Sequence, residues 1–252
     1  MDVSLYQAAA ALNASSRWQE VTSENLAANQ IPGFKKQDLS FSAVQAGFMQ
    51  RNLGASSVVG GRFVMPLAGT ATNFQPGELR STGVSTDLAI EGTGFFEVQM
   101  PDGNRGYTRD GEFRLNAQGQ LVSKQGLPVM GETGPIQLDP NNTAPITVAP
   151  SGEISQGGQL KGRLKLSDFS NPSALTPTGT GCFIATDPAV QARPSTSASL
   201  RQGYLENGNS SSVLEMGNLI TAMRFYEANQ KVVQMADDRV SRLISDVAVP
   251  PQ

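Results

Sequence analysis

Histidine is absent from all 252 residues. Its absence removes the side chain that most often serves as a general base near neutral pH and as a metal ligand. A single cysteine, Cys182, permits neither an internal disulfide nor a Cys/His nucleophilic pair. Within Gly181-Cys182-Phe183-Ile184 it reads as a small buried residue. Positive charge is not in excess, since 19 Lys and Arg stand against 22 Asp and Glu. A net charge of −3 offers nothing to neutralise the phosphates of nucleic acid or an anionic lipid surface, so no nucleic-acid partner is expected. Long apolar runs are missing too. No stretch approaches the ~20 consecutive apolar residues a membrane-crossing helix requires. The opening Met1-Asp2-Val3-Ser4-Leu5-Tyr6 carries an acid where a secretory leader has a positive segment, so a cleaved signal is not expected. Aromatics are scarce at 6%, whereas 26 Gly and 15 Pro favour a polar fold with many turns.

The two ends of the chain have a different character. Residues 2–29 hold no proline and much alanine, with Leu5, Ala8, Leu12, Trp18, Val21 and Leu26 at helical spacing. Pro32-Gly33 stops that helix, because proline disfavours helical geometry in the residue before it and glycine turns the chain. Near the other end Ser212-Val213-Leu214-Glu215 has the form of a capping box. Beyond it, alternating steps of three and four select Met216, Leu219, Met223, Tyr226, Gln230, Val233, Asp237, Val240, Ile244 and Val247. A seam repeating every ~3.5 residues predicts a helix that winds around partner helices. That helix would be ~54 Å long at ~1.5 Å per residue, and Pro250-Pro251 would end it. Packing against the body of the same domain is the other way to bury these stripes, but a modest middle segment covers ~54 Å poorly. Asp237, polar on the seam, is a candidate register-setting group.

Between the ends the pattern changes to short strands and turns. Gly103, Gly111 and Gly119 recur every eight residues within Pro101-Asp102-Gly103-Asn104, Asp110-Gly111 and Asn116-Ala117-Gln118-Gly119. Partly alternating segments separate them, predicting an antiparallel meander; further strands are expected at 145–149, 153–156, 160–167, 182–186 and 200–205. The predicted fold is α+β: long N- and C-terminal helices forming a coiled-coil-like domain, and a Gly-rich antiparallel β middle built as a small barrel or sandwich. The expected divisions are 1–34 for the first helix, 35–83 for an extended connector, 84–206 for the β middle and 207–252 for the second helix.

Two sets of residues resemble reactive sites. Gly92-Thr93-Gly94-Phe95-Phe96-Glu97 begins like a dinucleotide fingerprint but lacks the third glycine, and a strand-like aromatic run stands where a helix should start. Asp102, Asp110 and Glu112 fit no calcium-ligand spacing, and Asp-Gly is turn chemistry. No catalytic residue, cofactor or metal is therefore expected. Because carboxylates alone can hydrolyse glycosides, a secreted β-domain that binds or cleaves carbohydrate remains as the alternative class.

Three ordered blocks resemble the flagellar rod and hook axial proteins. The first is Ser23-Glu24-Asn25-Leu26-Ala27 followed by Pro32-Gly33-Phe34-Lys35. The second runs from Asp87-Leu88-Ala89-Ile90-Glu91-Gly92-Thr93-Gly94-Phe95-Phe96 through Tyr107-Thr108-Arg109-Asp110-Gly111. The third is Gln202-Gly203-Tyr204-Leu205-Glu206 before the last helix, with Met223-Arg224-Phe225-Tyr226-Glu227-Ala228-Asn229 within it. The chain length fits a mid-sized rod subunit, shorter than family hook proteins. The resemblance implies a structural subunit of the flagellar basal-body rod that polymerises and catalyses nothing. It implies export through the flagellar type III apparatus without a cleaved signal and assembly in the periplasm, with copies of itself and other rod proteins as partners. The terminal helices would form an inner tube, and the assembly interface expected is Leu5, Ala8, Leu12, Trp18, Val21, Leu26, Met216, Leu219, Met223, Tyr226, Val233, Val240 and Ile244.

Overall fold

The computed structural model describes residues 3–49, 61–179 and 181–248. The chain divides into two compact units, one made of residues 1–26, 37–71 and 211–252, the other of residues 27–36 and 72–210.

The first unit holds helix α1 (Val3–Ala27), strands β1 (Gln37–Met49) and β2 (Gly61–Thr72), and helix α2 (Ser212–Ala248). Alanine-rich α1 buries Ala8, Ala14, Ser15, Val21, Thr22 and Asn25. β1 and β2 pair as a two-stranded ribbon, tied by Ser40 Oγ to Gly69 O at 3.3 Å and Ser42 Oγ to Leu67 O at 3.4 Å. At 37 residues α2 is ~55 Å long. Its first helical bond runs from Glu215 N–H to Ser211 O, which puts the cap at Ser211, one residue before the Ser212 of the expected box.

The helices do not form the coiled-coil-like arrangement expected from the apolar seam. Met216 and Met223 on that seam are exposed, as is Asp237, which therefore sets no buried register. The described stripe of α2 that is shielded instead runs through Ser212, Glu215, Leu219, Ala222, Tyr226, Asn229, Val233 and Ala236. Only Glu215 and Ala222 in it are fully buried. Contact with α1 is made by small and polar groups: Asn229 Nδ2 donates to Ser15 Oγ at 3.0 Å and Gln19 Nε2 to Ala222 O at 3.4 Å. Met216 and Met223, large apolar residues of the expected seam, lie outside this stripe. Trp18 packs its ring against Phe41 of β1 and Phe225 of α2, with centroids 5.8 Å away in each case.

The second unit is β-rich. Its strands are β3 (Leu79–Ser81), β4 (Leu88–Glu91), β5 (Phe95–Gln99), β6 (Arg105–Thr108), β7 (Phe113–Leu115), β8 (Leu121–Ser123), β9 (Met130–Gly131) and β10 (Gly134–Pro135). They continue with β11 (Ile146–Val148), β12 (Glu153–Gln156), β13 (Gln159–Arg163), β14 (Leu166–Asp168), β15 (Thr176–Pro177), β16 (Phe183–Ile184), β17 (Arg193–Pro194), β18 (Ser199–Gln202) and β19 (Tyr204–Glu206). A six-stranded antiparallel sheet has the order β15-β16-β6-β5-β14-β17. Smaller antiparallel pairings surround it, among them β18 with β4 and β19 with β3.

Strand β5 explains why the core lies on both sides of this sheet. Side chains alternate along a strand, so Phe95 and Phe96 point to opposite faces, and both are buried. Phe96 and Val98 enter a large cluster with Leu88, Ile90, Phe113, Val129 and Ile154. Phe95 enters a second with Tyr107, Phe169, Leu175 and Phe183. Burying each such aromatic contributes roughly 1.5 to 3 kcal/mol. Glu97, on the Phe95 face, is buried as a carboxylate only because Lys165, Arg105 and the Ser167 hydroxyl reach it.

Candidate functional site

Many of the motif residues converge in the second unit on a knot of buried hydrogen bonds and charge. Gly33 stands at φ +67°, and a Cβ there would lie 2.2 Å from the Arg109 carbonyl carbon, so only glycine lets the two backbones approach. The Gly33 amide donates to Glu206 O at 2.6 Å. Two residues on, Lys35 Nζ donates to Glu206 Oε1 at 2.5 Å and to Gln75 O at 2.9 Å. Arg109 comes from the end of β6: its Nη1 donates to Glu206 Oε2 and to Ile90 O, each at 3.2 Å, and its Nη2 to Gly92 O at 2.7 Å. Glu206 Oε1 also accepts the Gly77 amide at 2.8 Å.

Asn209 is the second node. Its Oδ1 accepts the Lys36 amide at 2.7 Å, while its Nδ2 donates to Asn73 O at 2.8 Å and Gln75 O at 3.0 Å. The Asn209 amide donates to Phe34 O at 3.2 Å, and Ser210 Oγ donates to Asn29 Oδ1 at 2.8 Å. Separate passages of the chain, residues 29–36, 73–77, 90–92 with 109, and 206–210, are thereby tied together inside one unit.

Electrostatically the knot is unusual, because two cations share one carboxylate. The side chains of Lys35 and Glu206 are each only 1% exposed. Burial pushes the Lys35 ammonium and the Arg109 guanidinium below their ordinary values, and the Glu206 charge opposes both shifts. Next to Arg109, Asp110 has its carboxyl pushed up to about 6, chiefly by burial, with the Glu112 and Asp87 charges adding to the rise and a hydrogen bond from the Glu112 amide opposing it. Among the described residues Arg109 Nε is the one buried side-chain polar atom without a partner. Apart from Arg109 Nε, the donors and acceptors of the knot are committed to one another, which makes it a structural lock. No cluster of three or more candidate metal-ligating side chains occurs among the described residues.

The remaining motif residues fall around this lock or outside it. Ala89 and Ile90 are buried in β4, and Asp87 Oδ2 accepts Thr82 Oγ1 at 2.6 Å. Gly92 and Gly94 form the turn from β4 into β5, so the partial dinucleotide fingerprint leads into a strand. Gly111 lies so near Leu88 that a Cβ would meet its carbonyl oxygen at 1.6 Å, and Gly203 donates its amide to Asp87 O at 2.8 Å. Phe95, Phe96, Tyr107 and Thr108 belong to the core, while Pro32 and Phe34 are half-buried beside the knot. Asn25 lies in the first unit, where its side chain both donates to Gln37 O and accepts the Gln37 amide, each at 2.9 Å, and so fixes the start of β1.

Of the expected interface, Ala8 and Val21 are buried within the first unit; Leu12, Trp18, Leu26, Leu219, Tyr226 and Val233 are half-buried. Met216 and Met223 are exposed, as are Arg224 and Glu227. The side chains of Leu5, Val240 and Ile244 lie outside the described residues. Sequence reasoning missed Lys35, Glu206 and Asn209 as functional residues. The signal was opposite charge at the edges of two motif blocks, but 171 residues separate Lys35 from Glu206 and no local pattern joins them.

Comparison with known proteins places these features in context. The family model described as flagellar hook protein FlgE/F/G D1 domain matches residues 89–156, and that described as flagellar basal body rod FlgEFG protein C-terminal matches residues 201–246. The flagellar basal-body rod protein FlgG of Buchnera aphidicola is 34% identical over 259 residues, covering 95% of this chain and 98% of the relative. The flagellar basal-body rod protein FlgF of Caulobacter vibrioides is 36% identical over 234 residues, covering 92% and 93%. That of Escherichia coli is 32% identical over 265 residues, covering 96% and 97%.

Proposed function

The chain belongs to the flagellar basal-body rod protein family and is a structural subunit of that rod; from this premise we propose that the exposed sides of α2 are where neighbouring rod subunits attach. One observation carries the reading. Val213, Leu214, Met216, Ile220, Met223, Phe225, Val232 and Met235 all stand exposed on one helix, Ile220 at 55% and Phe225 at 54%. Such a density of apolar surface marks an interaction site. It revises the interface expected from the sequence, keeping Met216 and Met223 and giving the buried Ala8 and Val21 to the internal packing of their own unit.

The second unit supports the same reading by what its edges exclude. The six-stranded sheet ends in β15 on one side and β17 on the other, and these carry Pro177 and Pro194. Proline offers no amide to an incoming strand, so this sheet resists growth by strand addition.

Relatives of the F and G types match over similar shares of the chain. We favour the proximal, F-type position on Leu127-Pro128-Val129-Met130-Gly131-Glu132, Gly134-Pro135-Ile136 and Gly162-Arg163-Leu164-Lys165-Leu166, which look most like that type. Passage through the flagellar type III export apparatus and a periplasmic location belong to the same proposal. Ile220→Asp and Met223→Asp test the interface, because each places a carboxylate where burial costs several kcal/mol. Both should abolish rod assembly and motility while the purified variants keep the wild-type urea midpoint of the β unit. Full motility in both variants would remove the basis for the interface, and rescue of a strain lacking the G-type but not the F-type protein would reverse the assignment of position.

A further inference from the structure

We propose that Asn207 is a site of spontaneous deamidation, whose products loosen the knot built on Glu206 and Asn209. The proposal stands on the chemistry of the free chain and goes beyond its role in the rod. Asn207-Gly208 is the single Asn-Gly pair in the sequence. Asparagine is thermolabile, and a following glycine, having no Cβ, leaves its own nitrogen open to approach the side-chain amide.

The structure separates this asparagine from its neighbour. The Asn207 main-chain amide donates to Glu78 O at 2.9 Å, which anchors the backbone. No partner among the described residues engages its side-chain amide, and none accepts the Gly208 N–H, so both reacting groups are unbound. Asn209, also followed by a small residue, Ser210, has its side chain held by the Lys36 amide and by the carbonyls of Asn73 and Gln75. It must release all three to react.

The reaction needs only water. Gly208 N attacks Asn207 Cγ, the new N–Cγ bond closes a succinimide, and the Cγ–Nδ2 bond breaks to release ammonia, which carries away the Gly208 proton. Water then opens the ring at one of its two carbonyls, giving aspartate or isoaspartate. Either product places a new carboxylate next in sequence to the buried Glu206. Isoaspartate also adds a main-chain atom between Glu206 and Asn209, the two nodes of the knot. The backbone has little room for this: a Cβ on Gly77 would meet Asn207 O at 2.0 Å, and one on Gly208 would meet Asn29 O at 3.1 Å.

The test ages the full-length protein in mildly alkaline buffer and follows each asparagine by peptide mass mapping, with isoaspartyl methyltransferase labelling to mark the isoaspartate. Asn207 should convert at least about tenfold faster than Asn209, a factor that one net hydrogen bond suffices to supply. Asn207→Gln, which closes the ring far less readily, should remove the label from this peptide and keep the urea midpoint constant on ageing while that of the wild type falls. Equal rates at the two asparagines, or a label that persists in Asn207→Gln, would overturn the site. Conversion at Asn207 with an unchanged midpoint would overturn its effect on the knot.

Discussion

Glu206→Gln tests whether the buried charge knot holds the β unit together. In the folded chain one carboxylate faces Lys35 Nζ at 2.5 Å and Arg109 Nη1 at 3.2 Å, both out of water. Replacing it with an amide leaves two buried cations without a counter-charge, and breaking a buried pair in this way costs roughly 3 to 5 kcal/mol. Lys35→Met is the informative partner. It leaves Arg109 with Glu206 as a neutral pair, so the loss is limited to hydrogen bonds with Glu206 and Gln75 O, about 1 to 2 kcal/mol. The expected order is therefore Glu206→Gln well below Lys35→Met, itself below wild type. Urea unfolding read through the near-ultraviolet tyrosine signal in a Tyr6→Phe, Tyr226→Phe background, where the remaining Tyr107 and Tyr204 both lie in the β unit, measures this; Trp18, the only tryptophan, reports separately on the first unit. On heating, Glu206→Gln should lower the β-unit midpoint by roughly 10 °C. A Glu206→Gln protein within ~0.5 kcal/mol of wild type, or a Lys35→Met protein that loses as much, would refute the shared-carboxylate account.

Further consequences can be checked in the same way. Gly33→Ala should cost at least about 3 kcal/mol, since the new Cβ meets the Arg109 backbone at 2.2 Å in a conformation alanine disfavours; an unchanged urea midpoint would contradict the close approach. Asp110 has a folded value of about 6 against an ordinary 3.8, so its charge penalises the fold above about pH 6 and the penalty fades as pH falls through 6 toward 3.8. Asp110→Asn should accordingly stabilise the β unit by about 1 to 3 kcal/mol at neutral pH and by little near pH 4; a gain independent of pH would contradict this. Asn25→Ala deletes both hydrogen bonds to Gln37 and should lower the Trp18-monitored stability by about 2 kcal/mol, while leaving the tyrosine transition of the β unit in place.

Local chemistry written in the sequence identified much of the fold. The proline-free, alanine-rich start became α1 and the proline-free run from Ser212 became α2. Gly103 and Gly119 mark turns within the antiparallel pairs β5–β6 and β7–β8, whereas Gly111 links β6 and β7, which lie in different sheets, so the expected meander is interrupted there. The motif blocks led to the right family, because their glycines record close backbone approaches that few residues tolerate, as at Gly33 and Gly111. Residues 37–49 and 61–72 were harder to read: the expected connector forms two long paired strands, and pairing is a property of two segments, invisible in either alone.

The sequence determined that α2 would be long and unbroken, since its apolar repeat of ~3.5 residues and the absence of proline both act within a single segment. Which side of that helix is covered was decided only in three dimensions. A residue's apolar character says that burial is favourable but names no partner; the face turned inward carries the Asn229–Ser15 and Gln19–Ala222 hydrogen bonds, and Met216, Ile220 and Met223 lie outside. The Lys35–Glu206–Arg109 lock depended in the same way on tertiary structure, because charges far apart in the chain acquire a common site only when folding removes the water between them.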